Sequence, residues 1–223
     1  MTDPALVNAQ VWRDLYRSGR GDLRYPNDVL VRLGARMLDA RRDHKLLDFG
    51  CGTGANLAHF ASQGFEVVGV DVSEHALART RSRVAAMSQP PELRLVEPGH
   101  PLPFEDGRFD AAYAWQVLYY NDLDGWRASV AELERVCRRG ALILVATAAP
   151  GDVSQTDSTP IEELTYRLSS TTGQEGCIVT IPDRDELPRL FPGRDLEIGE
   201  FGFKFRGTSA RHWIVTYRTK THD

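Results

Sequence analysis

The chain has 223 residues, enough for one well-buried α/β domain and barely enough for two. A formal net charge of −4 gives no global attraction for nucleic-acid phosphates or anionic lipid, so neither a nucleic acid nor a membrane is expected as partner. Cys51, Cys137 and Cys177 are too few and too scattered for a disulfide framework or a zinc site. No apolar run approaches 18 residues and the N-terminus lacks a basic stretch followed by an apolar one, so a cytoplasmic protein without a bound metal is expected.

Residues 1–44 read as mainly helical and precede the sheet, with Trp12 and Tyr16 at helical i, i+4 spacing. "KLLDF" (45–49) is a short apolar run stopped by glycine, which suits a buried central strand. "ANLAHFASQG" then places Leu57, Phe60 and Ala61 on one helical face, with Gly64 as its stop. "FEVVGVDV" is a second strand, and Ser73 N-caps a helix through "SEHALARTRSRVAAM". "ELRLVE" and "FDAAYAW" are the third and fourth strands. "GWRASVAELERVCRRG" reads as a helix with Val130, Leu133 and Val136 in one stripe and Gly140 at its end, and "ALILVAT" is a fully apolar fifth strand.

Strands that alternate with helices imply a three-layer, doubly wound, mostly parallel sheet. The last two strand-like runs, in "LEIGEFGFKFRGTSARHWIVTYRT", are joined by a short turn near Arg206 to Ser209, so the sheet closes with an antiparallel hairpin. Residues 149–194 form a long connection rich in Ser, Thr, Pro and Gly, with a short helix around Asp185 to Phe191. Such connections serve as lids or binding loops. The expectation is a single domain, 1–223, in which 1–44 is a helical cap and 149–194 a lid that shapes a substrate pocket, as a monomer or homodimer.

"LLDFGCGTGAN" (46–56) puts Gly50, Gly52 and Gly54 in a turn at the carboxyl end of the first strand, where α/β sheets bind ligands. The same glycines satisfy a dinucleotide pattern, and Asp71, about 20 residues on, suits a ribose diol in either kind of ligand. Asp48 separates the readings. A pyrophosphate at this turn meets a carboxylate at close range, whereas S-adenosylmethionine brings an ammonium, a sulfonium and the ribose.

On "LLDFGCGTGANLAHFASQGFEVVGVDVSEHAL", "PLPFEDGRFDAAYAWQVLYY" and "LERVCRRGALILVAT", the chain resembles the class I S-adenosylmethionine-dependent methyltransferases. The resemblance implies a seven-stranded sheet whose last strand runs antiparallel. It also implies that Asp48 and the Gly50–Gly54 backbone hold the methionine portion, that Asp71 holds the ribose, that Val72 packs on adenine and that Gln116 borders the cofactor and the reacting methyl. The family often has an acidic residue four positions before the leucine of L-P-F. Here that position is Pro98, beside Glu97.

Tyr16 is expected to cap the cofactor, since an aromatic face attracts sulfonium and ammonium groups. Tyr119, His100 and His212 are the candidate catalytic residues, a base being needed when the acceptor is a hydroxyl or protonated amine. No Asn-Pro-Pro-Tyr or Asp-Pro-Pro-Tyr follows the fourth strand, which argues against adenine or glutamine methylation. The expected function is methyl transfer from S-adenosylmethionine to N or O of a small molecule. The alternatives are a Rossmann-type NAD-dependent oxidoreductase and a cofactor-binding protein without transfer activity.

Overall fold

Asp3 starts the first helix by accepting a hydrogen bond from the Ala5 N–H, and Pro4 sits at the first helical position, where its missing N–H has no partner to lose. The structure, a computed structural model, describes residues 3–170 and 173–220. Residues 1–2 of the expected cap and 171–172 of the expected lid lie outside the described residues. Helices α1 (Pro4–Arg17) and α2 (Asp28–Met37) lead into β1 (Lys45–Phe49), α3 (Ala55–Ser62), β2 (Glu66–Asp71), α4 (Glu74–Val84), β3 (Glu92–Leu95) and β4 (Phe109–Trp115). Next come α5 (Leu123–Val136), β5 (Cys137–Ala148), the short α6 (Val153–Thr156), β6 (Ser158–Glu162), β7 (Thr165–Leu168) and β8 (Ile178–Thr180). The short α7 (Leu187–Leu190), β9 (Glu197–Phe205) and β10 (Thr208–Arg218) complete the fold.

Seven strands form one sheet in the order β3-β2-β1-β4-β5-β10-β9. The first five are parallel, and β10 runs antiparallel to both β5 and β9. Arg206 and Gly207 both have positive φ, 48° and 84°, the conformation that a two-residue hairpin turn demands. Strand alternation divides the core. Leu47, Val68, Ala112, Ile143 and Val215 face α5 and α7, whose Trp126, Leu133 and Leu190 cover them. Leu46, Val67, Ala111, Tyr113 and Leu144 face the other way, beneath Leu30, Leu57, Phe60 and Leu77 of α2, α3 and α4.

Two expectations change. The helix through "ERVCRRG" stops at Val136 rather than Gly140, because Cys137 already pairs with Phe109 of β4, and Gly140 lies inside β5. Residues 149–194 contain more than a short helix: β6, β7 and β8 form a separate three-stranded antiparallel sheet. That sheet is tied to the body through the post-β4 segment, where the Thr180 N–H donates to the Tyr119 carbonyl (2.8 Å) and the Thr180 hydroxyl to the Asn121 carbonyl (2.7 Å).

Candidate active site

Gly50, Gly52 and Gly54 all hold positive φ (78°, 53° and 76°), so the chain leaves β1, folds back over β2 and enters α3 in five residues. The Gly50 and Cys51 N–H groups both donate to the Val70 carbonyl at 2.9 Å. A Cβ at Gly52 would stand 2.8 Å from the Tyr16 hydroxyl, and one at Gly50 would stand 2.5 Å from Val117. The turn is therefore pressed between α1 and the segment after β4.

Two carboxylates flank this turn. Asp48, in β1, is almost fully buried and accepts a 2.6 Å hydrogen bond from the Tyr113 hydroxyl of the neighbouring strand. Burial pushes its carboxyl up to about 7; the tyrosine bond pulls it down and the charge of Asp71 adds to the push. Asp71 ends β2, where its two oxygens accept from the N–H groups of Gly52 and Ser73, each at 2.9 Å. Burial pushes it up to about 6 against those bonds. Tyr16 stacks on Trp12 with ring centroids 5.5 Å apart, and its hydroxyl is held well above the usual phenol range by burial and by the charges of Asp71 and Asp48.

A second group sits at the carboxyl ends of β4 and β5. Gln116 takes a positive φ of 59°, unusual for a side chain of its size, and its Nε2 lies 2.9 Å from Nε2 of His212 on β10. Burial holds the His212 ring below the usual imidazole value, opposed by the charge of Asp152, and its Nδ1 is buried with no partner. The ring of Tyr119 stands edge-on to His212 at 6.4 Å, and its hydroxyl donates to that of Tyr120 (3.0 Å).

A methyltransferase-domain family model matches residues 46–140, the stretch from β1 into β5 that carries the turn, both carboxylates and Gln116. Residues 46–140 are a methyltransferase domain. An O-methyltransferase of Aspergillus nomiae is 29% identical over 142 residues, 63% of this chain and 61% of that one. Another O-methyltransferase, of Penicillium expansum, is 31% identical over 143 residues, 63% of this chain and 50% of that one. The chain thus spans less than two thirds of either relative. The structure of Burkholderia thailandensis 1,6-didemethyltoxoflavin-N1-methyltransferase superposes with a TM-score of 0.75 at 17% identity, covering 99% of this chain and 92% of that one, and shares its fold.

S-adenosylmethionine is the cofactor that a methyltransferase domain implies, and the residues present suit its chemistry. Asp48 and Asp71 are buried carboxyls that the cofactor's sulfonium and ammonium groups would return towards ordinary ionisation, and each Asp71 oxygen keeps acceptor capacity beyond its backbone bond. Val72 lies in the loop after β2, where its carbonyl accepts from Arg13 of α1 (2.9 Å). Of the expected catalytic residues, Tyr119 and His212 come together, with Gln116 between β4 and β10. His100 does not join them. It lies exposed on the β3–β4 connection with Nδ1 3.1 Å from the Pro98 carbonyl, because the Glu97–His100 turn leaves the protein surface.

Three residues around this candidate site escaped the sequence reading. Asn8 is buried in α1 and binds the Tyr120 carbonyl (2.7 Å), the Ile178 carbonyl (2.8 Å) and the Ile178 N–H (2.7 Å), joining α1 to β8 and to the segment after β4. Arg83 of α4 donates to the carbonyls of Thr53, Leu23 and Arg24, tying the α1–α2 loop to the glycine turn. Asp152 caps α6 through the Ser154 N–H and accepts from the Arg211 N–H (2.8 Å), next to His212. The signal for Asp152 was in the sequence, as an N-cap residue in "PGDVSQT". Among the described residues no helix is long and apolar enough to cross a membrane.

Proposed function

We propose that the chain transfers a methyl group from S-adenosylmethionine to a nitrogen or oxygen atom of a small-molecule acceptor by in-line displacement. The observation that carries this reading is the pair of buried carboxylates beside a three-glycine turn, which attracts the sulfonium and ammonium groups of an adenosine ligand and repels a pyrophosphate. In this reading Asp48 and the Gly50–Gly54 backbone hold the methionine portion, Asp71 the ribose hydroxyls, and Val72 lies against adenine. Tyr16 presents its aromatic face to the cationic end, an attraction of roughly 0.5–2 kcal/mol. Bound there, S-adenosylmethionine supplies a methyl carbon already activated by its sulfonium.

What remains for the protein is orientation and a place for a proton. The cap at 1–44 and the lid at 149–194 enclose and align the acceptor, and alignment of reactants corresponds to effective molarities of about 10⁵–10⁸ M. His212 is the proton acceptor. With the Gln116 amide turned by roughly 180° about its last bond, so that its oxygen rather than its Nε2 faces His212 Nε2–H, the neutral ring keeps its Nδ1 lone pair free for the acceptor's proton, and Tyr119 packs at the ring's edge. The names of the two fungal relatives favour an oxygen acceptor. Incubation with radiolabelled S-adenosylmethionine and a panel of phenols, amines, carboxylates and thiols is expected to label a hydroxyl or amine. A protein that binds S-adenosylhomocysteine and labels none of them is a cofactor-binding protein; preference for NADH makes it an oxidoreductase.

A further inference from the structure

Strand β10 pairs with β5 only from His212 onward, so the outer part of the closing hairpin, Gly202 to Arg211, projects past the carboxyl edge of the sheet. The projection starts at Gly202, where a Cβ would stand 2.2 Å from the Ala210 carbonyl oxygen; glycine lets the two strands coil tightly there. Directly paired residues share a face, which places Phe201, Phe203 and Phe205 of β9 alongside His212, Ala210 and Thr208 of β10. Phe201 stacks on the His212 ring (5.1 Å, 18°) on one side and on Trp115 (5.7 Å, 19°) on the other. Phe203 and Phe205 continue the row outward, each 65% exposed.

Most of the charges of this hairpin lie on its other face. Glu200, Lys204 and Arg211 project from the opposite face, with Arg211 and Glu200 paired at 3.3 Å, and Arg206 in the turn lies over the Phe205 ring at 5.2 Å. The inner end of the row carries two orphaned polar atoms, Nδ1 of His212 and Nε1 of Trp115, on side chains that are each 7% exposed. An aromatic strip thus runs from Phe205, under the Arg206 guanidinium, to the buried Nδ1 of His212, which has no partner.

We propose that this face of the β9–β10 hairpin is the acceptor subsite and that the acceptor is a planar aromatic molecule bearing a phenolic hydroxyl. The aromatic body stacks along Phe203 and Phe205, and the hydroxyl is directed to His212 Nδ1. Aromatic pairs gain from ring geometry beyond the area they bury, so the strip discriminates flat from saturated rings of equal size. The inference rests on the methyl-transfer reading for its acceptor role but is tested by binding alone.

Calorimetry of the full chain, saturated with S-adenosylhomocysteine, uses 2-naphthol and its saturated counterpart decahydro-2-naphthol as probes. The expected result is binding of 2-naphthol with little binding of the saturated alcohol. A Phe203→Ser/Phe205→Ser double variant is expected to bind 2-naphthol at least about tenfold more weakly while its S-adenosylhomocysteine affinity stays unchanged. Equal binding of both probes, or undiminished 2-naphthol binding by the double variant, overturns the subsite. So does sedimentation showing a dimer that the double variant dissolves, since the strip is then covered by a second copy. Failure of S-adenosylhomocysteine to bind the wild-type chain would strike the methyl-transfer reading itself, separately from the subsite.

Discussion

Asp48 and Asp71 share one poorly hydrated crevice, with carboxyls held at about 7 and about 6 against an ordinary value near 4. A carboxyl raised in the folded state binds more protons there than in the unfolded chain, so its contribution falls as pH rises from about 4 to about 7. Urea titrations without cofactor are expected to show this loss, and Asp48→Asn to flatten it; a slope unchanged by the variant would contradict the burial argument. At the second group the sign follows from the need for a neutral imidazole. Turnover is expected to fall on the acid side, at a pH below the ordinary imidazole value near 6.5, as His212 protonates. His212→Gln is expected to lower kcat by about 100-fold or more and to leave S-adenosylhomocysteine affinity unchanged, measured by labelled-methyl transfer and calorimetry. The carboxylates were legible in the sequence because Asp48 stands two residues before the glycine turn and Asp71 ends the next strand. The pairing of Gln116 with His212 was not, since it joins residues 96 positions apart through the register of β10 on β5.

Helix α1 carries Tyr16 over the turn, and the Asn8 amide makes three of the hydrogen bonds that hold it to the body, beside the Arg13 bond to Val72. Asn8→Ala leaves the carbonyls of Tyr120 and Ile178 and the Ile178 N–H without their partner and is expected to destabilise the protein by about 2–3 kcal/mol in urea unfolding. The same variant should speed hydrogen exchange throughout α1; protection equal to wild type would mean that other contacts dock the cap. Arg83→Met frees the α1–α2 loop from Thr53, so proteolysis near Leu23 and Arg24 is expected to accelerate. At this scale the long elements were readable from apolar periodicity, as β1, β2, β4 and α5 illustrate. The small sheet of β6, β7 and β8 was missed because strands of five, four and three residues, rich in Thr and polar neighbours, carry no period of their own. The α5–β5 boundary was misplaced because Val136 completes a helical stripe while Cys137 is already claimed by β4, and pairing overrides local preference.

The whole molecule is a sheet with one core on each face, and both hold the crevice in shape. Leu57 is fully buried beneath α3, so Leu57→Ala is expected to cost about 2–5 kcal/mol while leaving the site's chemistry intact in what remains folded. The seven-stranded order places β1, β2 and β4 side by side, which gathers Asp48, Asp71 and the post-β4 segment at one edge, and the β5–β10 pairing adds His212. The central claim is that this edge is built for a cation-bearing cofactor. Calorimetry of wild type and Asp48→Asn with S-adenosylmethionine and NADH tests it most directly. Wild type is expected to bind S-adenosylmethionine in preference to NADH, with affinity that strengthens from pH 6 to pH 8 and is weakened about tenfold or more in the variant. Undiminished S-adenosylmethionine affinity in Asp48→Asn, or preferred binding of NADH by the wild type, would contradict it.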